Sequence, residues 1–324
     1  MKPISISIIL LLAMILCSCR SDLPQSGEGF SIATFNAQTF FDDIEDGDEF
    51  GPFHRHDGWS SVKYQARLDR LRDVVKTSLD VDMLFLQEIE SAKVLEDLLD
   101  DSLRRRGYVY YAIADVDNPI SVGFISKHQP ISVSLHQVGD QRIVMRAEFM
   151  VHGRQLVVYV LHAKSNLGDM DENRRLRKDY AALVNSLARQ DAGSPLVVLG
   201  DFNSEPDAEG TDMLALVGKH SSDLLVDMYC IPVSSSRTGM DGRTFYDAMM
   251  DRNCAVGGYG TYFYNGVFHD YDRILQNRAF IESFPDARLT VVTGVSADGM
   301  HPDSYEMEEG EGLSDHFPVK LTLL

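Results

Sequence analysis

Three apolar, strand-like runs follow one another at residues 131–138, 143–151 and 155–162, with too little chain between them for a helix. A parallel neighbour needs a crossover of a dozen or more residues, so this stretch must fold as antiparallel strands. A strict alternation of strand and helix is thereby excluded. Further strand-like runs fall at 30–36, 83–87, 121–126, 196–199, 271–276 and 318–323. Helical periodicity separates some of them. Leu68, Leu71, Val75 and Leu79 recur at three- and four-residue spacing within 62–79, and 92–106 and 172–190 behave similarly. Antiparallel sheets packed on one another with helices outside suit this order better than a doubly wound parallel sheet.

A chain that is 44% hydrophobic and 24% charged is neither collagen-like, a coiled coil nor largely disordered. Its 49 acidic against 30 basic residues give a formal charge of -19, which excludes a sequence-blind nucleic-acid coat protein. The first residues read as an address. Lys2 precedes an apolar stretch, residues 4–17, shorter than the roughly twenty residues of a spanning helix. It closes with Leu16-Cys17-Ser18-Cys19, which resembles the bacterial lipobox. The expectation is a lipoprotein signal peptide at 1–18, lipid on Cys19, a flexible tether at 19–29 and a catalytic domain at 30–324. An ordinary secretory signal is the alternative, and either reading exports the protein. In an oxidising compartment Cys230 and Cys254 then form a candidate disulfide, with two separate buried thiols as the alternative.

Polar residues cluster where the strand-like runs end. Asn36 closes the first, Glu88 follows the second, and His162 closes Val157-Val158-Tyr159-Val160-Leu161. Asp201 and Asn203 follow Val197-Val198-Leu199-Gly200, Asp272 opens a run, and Asp315-His316 precedes the last one. Converging, Glu88, Asp315 and the amide oxygen of Asn36 are hard oxygen ligands suited to Mg²⁺ or Mn²⁺ rather than zinc. His162 and His316 can each take up or donate a proton near neutrality. A carboxylate such as Asp272 would fix the tautomer of a histidine. Water attack on phosphorus fits this inventory.

In order, Thr34-Phe35-Asn36, Leu86-Gln87-Glu88, Leu161-His162-Ala163-Lys164-Ser165, Gly200-Asp201-Phe202-Asn203, Tyr271-Asp272-Arg273-Ile274-Leu275 and Ser314-Asp315-His316 resemble the motifs of the endonuclease/exonuclease/phosphatase superfamily. The resemblance implies a four-layered α/β sandwich: two mixed, mainly antiparallel sheets face to face with helices outside. It implies that Asn36 and Glu88 hold a divalent metal with Asp315 nearby, and that His316, paired to Asp272, activates water. It further implies that Asp201 and Asn203 orient or protonate around the scissile phosphate, and that His162 hydrogen-bonds a phosphoryl oxygen.

Asp270 competes with Asp272 as partner of the histidine, and the phase of the following apolar run favours Asp272. Trp59, ahead of an amphipathic run, reads as a packing anchor, whereas Lys164 and Arg174 lie within sequence reach of the site. The expected activity is that of an exported, lipid-anchored, Mg²⁺- or Mn²⁺-dependent phosphodiesterase of the nuclease kind. The alternatives are a hydrolase of small or lipid-linked phosphoesters, of inositol phosphate or sphingomyelin type, and a non-catalytic surface binding lipoprotein. The acidic charge and the polar segment 115–121 weaken a duplex-DNA assignment.

Overall fold

The structure, a computed structural model, describes residues 29–116, 118–138, 142–217, 229–251 and 260–324. The signal peptide, Cys19, the tether up to residue 28 and Cys254 lie outside the described residues. Among the described residues, no helix is long and apolar enough to cross a membrane.

In chain order the strands are β1 (Phe30–Phe40), β2 (Met83–Ile89), β3 (Tyr110–Ile113), β4 (Ser121–Ser126), β5 (Ser132–His136), β6 (Val144–Val151), β7 (Arg154–His162) and β8 (Leu196–Asp201). They continue with β9 (Leu214–Leu216), β10 (Ile231–Ser234), β11 (Phe245–Asp247), β12 (Tyr262–Tyr264), β13 (Val267–His269), β14 (Asp272–Gln276), β15 (Arg288–Val291) and β16 (Val319–Leu323). The α-helices are α1 (Ser61–Val74), α2 (Ala92–Leu98), α3 (Asp101–Arg105), α4 (Met170–Gln190) and α5 (Arg278–Ser283). One sheet has the order β15-β16-β1-β2-β4-β3 and the other β5-β6-β7-β8-β14-β11-β10-β9.

The apolar sets of the strands explain the layers. Alternate residues of the two sheets, among them Ile32, Phe85, Phe124, Phe149, Val158, Leu199, Ile274 and Leu321, meet in a central core. Rings of Phe85, Phe124 and Phe149 fill its middle with centroids 5.6–6.3 Å apart. The opposite set of the first sheet, including Ala33, Phe35, Leu84 and Leu86, packs on α1, α2 and α3. That of the second, including Val157, Tyr159, Leu161 and Val198, packs on α4. The result is the four-layered α/β sandwich expected from the sequence, with mixed sheets and mostly antiparallel pairs. The strands of 131–162 pair antiparallel in sequence, β5 with β6 and β6 with β7.

Two helical expectations are modified. The run 92–106 is broken at Leu99 and Asp100, where the Asp100 carboxylate caps the first N–H groups of α3. The run 62–79 leaves α-geometry after Val74 for a π-helical turn, Val75–Leu79, ended by Asp80 in a left-handed conformation. Elsewhere helix starts obey local capping: Asp169 accepts from Glu172 N–H to begin α4, and Asn277 from Phe280 N–H to begin α5.

Candidate active site

The topology decides which strand ends meet. β1 and β2 are parallel, so Asn36 and the residues after Gln87 emerge at one edge of the first sheet. β16 runs antiparallel to β1, with Val319 opposite Thr34, so the segment entering β16 arrives at that same edge carrying Asp315 and His316. The second sheet repeats the device. Parallel β7 and β8 place His162 beside Asp201, and antiparallel β14 begins with Asp272 opposite Asp201. The two edges are joined directly: Asn36 Nδ2 donates to Asp201 Oδ2 across the sheets at 3.0 Å.

Local backbone irregularities aim the side chains. Glu88 falls where the β2–β4 ladder shifts register between Gln87 and Ile89, and its φ of 60° lies in the left-handed region. Bulges beside active sites commonly redirect a side chain in this way. Glu88 Oε1 accepts from Asn36 Nδ2 at 3.0 Å and Oε2 from Thr39 N–H at 2.7 Å. Gly200 has a φ of 134°, and a Cβ there would sit 1.9 Å from the Leu161 carbonyl oxygen. Only glycine lets β8 approach β7 closely enough to set Asp201 next to His162.

Asp201 is buried. Its Oδ1 accepts from Asn203 N–H at 2.8 Å, and its Oδ2 lies 3.7 Å from His162 Nε2. Asn203, with a φ of 48°, spends its amide on Asp201 Oδ2 and the Ala163 carbonyl, so its visible work is to orient Asp201. His162 Nε2 is 3.4 Å from Glu88 Oε1. Glu88, His162 and Asp201 thus offer ligand atoms all within 4.8 Å of one another. Asn36 orders these carboxylates through its Nδ2, while its Oδ1 accepts from Gln38 N–H, so ligation through Oδ1 would require the amide to turn over.

On the other side, His316 Nδ1 is 2.7 Å from Asp272 Oδ2, and its Nε2 lies 3.8 Å from Asp315 Oδ1 and 4.0 Å from Asp201 Oδ2. Asp272, not Asp270, is the partner; Thr261 Oγ1 accepts from its N–H, and its Oδ1 is buried without a hydrogen bond among the described residues. Ser314 Oγ donates to the Asn36 carbonyl and accepts from His316 N–H, tying the last motif to the first.

Burial, with Asp272 nearby, raises the Asp201 carboxyl well above the usual range, and burial raises that of Asp315. Burial, then Arg142, pushes His162 well below its ordinary value. Burial also opposes charge on His316, yet Asp272, Asp315 and Asp201 bring it up to about 10. Glu88, Asp201, Asp272 and Asp315 thus bring four carboxyl groups together around His162 and His316. That oxygen-rich donor set fits a hard divalent cation.

Several contributors escaped the sequence reading. Arg142 approaches His162 Nδ1 at 2.5 Å. Arg67, fully buried in α1, donates to the carbonyls of Ala37, Gln38, Thr39 and Leu313 and so braces the end of β1 that carries Asn36 and the loop that carries Asp315. Tyr262, at the base of the β12–β13 hairpin, lies over His316 with centroids 4.6 Å apart, and Tyr264, His269 and Tyr271 extend a ladder of rings outward. Asn265-Gly266, both at positive φ, form the hairpin turn; this pair between aromatic residues was the available signal. Lys164 stands beside the site, but Arg174 pairs with Asp171 and Asp212 instead. Trp59 is buried and donates to the Asp42 carbonyl, away from these groups. The Cys230 thiol is directed at the carbonyls of Gly210 and Asp212.

Similar architecture occurs in solved proteins. TDP2 from C. elegans is 14% identical over 91% of this chain and 75% of that chain, with a TM-score of 0.58. D. rerio TDP2 complexed with single strand DNA product gives 14% identity, 91% and 99% coverage and a TM-score of 0.55. An AP endonuclease from Archaeoglobus fulgidus gives 18%, 90%, 98% and 0.53. At these identities the likeness is one of fold. Among curated proteins none matches the sequence. Residues 31–324 match the model of the Endonuclease/Exonuclease/phosphatase family, nearly the whole of the described chain. With the two sheet edges meeting as they do, the chain belongs to that family of phosphoester hydrolases.

Proposed function

We propose that the protein is a Mg²⁺- or Mn²⁺-dependent phosphodiesterase of the nuclease kind, cleaving nucleic acid by attack of water on phosphorus. The observation that carries this reading is the His316–Asp272 pair standing opposite Glu88, His162 and Asp201, with His316 Nε2 4.0 Å from Asp201 Oδ2. Glu88 and Asp201 would hold the cation, with Asp315 and Asn36 beside them. When bound, it offsets the carboxylate charge and polarises a phosphoryl oxygen.

Once a cation offsets the carboxylates that otherwise keep its ring protonated, His316 Nε2 would be free to take a proton from the attacking water, while Asp272 holds the other ring nitrogen and stabilises the imidazolium that forms. The water oxygen bonds to phosphorus, the bond to the leaving oxygen breaks, and that oxygen leaves protonated. Asp201, fixed by Asn203, orients the scissile phosphate, and the leaving oxygen takes its proton from solvent. His162, with Arg142 against Nδ1, presents Nε2 towards the charge that builds on phosphorus. The ladder of Tyr262, Tyr264, His269 and Tyr271 offers stacking faces for bases next to His316, which favours nucleic acid over an inositol phosphate. The TDP2 and AP endonuclease likenesses agree with that choice.

The test incubates the purified protein with Mg²⁺ or EDTA and plasmid DNA, RNA oligonucleotides, bis-p-nitrophenyl phosphate and p-nitrophenyl phosphate. Metal-dependent cleavage of nucleic acid, cut on the order of a hundredfold or more in His316→Ala, is the expected result. Intact nucleic acid alongside hydrolysis of a small ester would overturn it in favour of the second reading, a small-phosphoester hydrolase, which the formal charge of -19 favours. We also propose that residues 1–18 export the chain and that Cys19 carries lipid, with residues 30–324 as the catalytic domain. Cys19→Ser should then leave the membrane fraction.

A further inference from the structure

A cavity of about 900 Å³ opens beside the catalytic centre, and His162 belongs to its wall. At that end stand Arg142 and Lys164; further along, Leu176 and Leu183 of α4 make an apolar side. The charges here are unusual for this chain. Arg174 pairs with Asp171 and Asp212, Arg175 with Glu172 and Asp179, and Arg177 with Asp212. Asp179, the carboxylate on the cavity wall among the described residues, is thus already engaged. Arg142 and Lys164 have no carboxylate within ion-pair distance among the described residues. Among the described residues Arg142 meets the His162 ring and, at 3.4 Å, the Ala163 carbonyl.

Two half-buried cations set together without a counter-ion among the described residues repel one another, and the Lys164 ammonium is lowered by burial and by Arg142 and Arg177. In a protein of formal charge -19 such a spot is not needed for solubility. Such a spot attracts an anion. The anion must come with something that can also lie on Leu176 and Leu183, and it must be attached to the group reacting at His162.

We propose that this groove is the subsite for a second phosphate of the substrate, one nucleotide step from the bond that is cut, with the intervening sugar and base lying along α4. This rests on the nuclease reading of the site and deepens it. The guanidinium fork of Arg142 and the ammonium of Lys164 grip the phosphate, and the substrate is drawn across His162 from the groove to the ring ladder at His316. A substrate with a single phosphate leaves the groove unfilled.

The experiment uses the full chain carrying His316→Ala, with Mg²⁺, so that probes are bound but not turned over. Titration calorimetry compares dTpdTpdT, which has two phosphates, with dTpdT, which has one. The expected result is about tenfold tighter binding of the longer probe, with the advantage abolished by adding Lys164→Met, a half-exposed position whose replacement leaves the fold intact by circular dichroism. The dependence of log affinity on log salt should fall by about 0.7 in the same variant, the share of one phosphate contact in a single strand. Equal affinity for the two probes, or an unchanged salt slope in Lys164→Met, would overturn the groove assignment. If the unmutated protein also cleaves no diester and neither probe binds, the nuclease reading falls and this inference with it; cleavage with equal probe affinities removes the groove alone.

Discussion

Replacing Arg67 by Met tests whether a buried guanidinium, rather than the strands alone, holds in place the end of β1 and the loop before β16, which carry candidate metal ligands. Arg67 is fully buried between the rings of Phe40 and Tyr305, 4.5 and 4.0 Å from its guanidinium carbon. Burial lowers it to about 9, with Tyr305, Glu88 and Asp315 acting in the other direction. Of the four carbonyls it serves, those of Gln38 and Thr39 belong to partly buried bonds and can turn to water. Those of Ala37 and Leu313 belong to buried bonds and cannot. Two orphaned acceptors at about 1–3 kcal/mol each imply a loss of about 4 kcal/mol. Urea unfolding at unchanged slope measures it. The same end of β1 carries Thr39, whose N–H holds Glu88, so the Mg²⁺ concentration for half-maximal activity should rise about tenfold, as when an outer-shell partner of a metal ligand is removed. Arg67→Lys, which keeps the charge but loses the fork, should fall between. A loss below about 1 kcal/mol with unchanged metal dependence, in the range of an ordinary surface change, would refute the bracing role.

Gly200→Ala should fail to fold or lose about 4 kcal/mol or more in denaturant unfolding, because its Cβ would collide with the Leu161 carbonyl at a φ no alanine favours. Asp272→Asn should keep its melting temperature within a few degrees but lose on the order of a thousandfold in kcat, since the carboxylate under His316 fixes its tautomer and charge. Asp82, opposed by burial but favoured as carboxylate by His128, the Ser31 N–H and Lys127, lies below its ordinary value of 3.8. A depressed folded value means its stabilisation is complete above pH ~4 and fades as pH falls through the folded value, so Asp82→Asn should flatten the acid limb of melting temperature against pH.

The candidate site was legible in the sequence where chemistry coincides with the end of an apolar run. Asn36, Glu88, His162, Asp201, Asp272 and His316 stand out that way because a strand buried along its length places an unpaired polar side chain most readily where it meets an opening. What periodicity does not carry is pairing between distant segments. Nothing local says that Asn36 will reach Asp201, or that Arg67, three residues into a helical repeat from Tyr64, will turn its charge inward. Arg142 precedes a strand rather than ending one, and so gave no signal. The break at Leu99 and Asp100 was hidden because leucines continue the helical spacing across it. Both layers of helices and the face-to-face sheets were legible, by contrast, because each rests on a repeat of apolar residues that local spacing does show.

The Asn36–Asp201 bond makes the site an instrument for reading the thickness of the sandwich. Its ligand-bearing edges belong to different sheets, whose separation is set by the filling between them, chiefly Phe85, Phe124 and Phe149. A smaller ring there would let the sheets settle together and a larger one would spread them, far from any ligand. Ionic radius would then become the quantity that a core substitution changes: the preference between Mg²⁺ and Mn²⁺ should shift with the volume of residue 149.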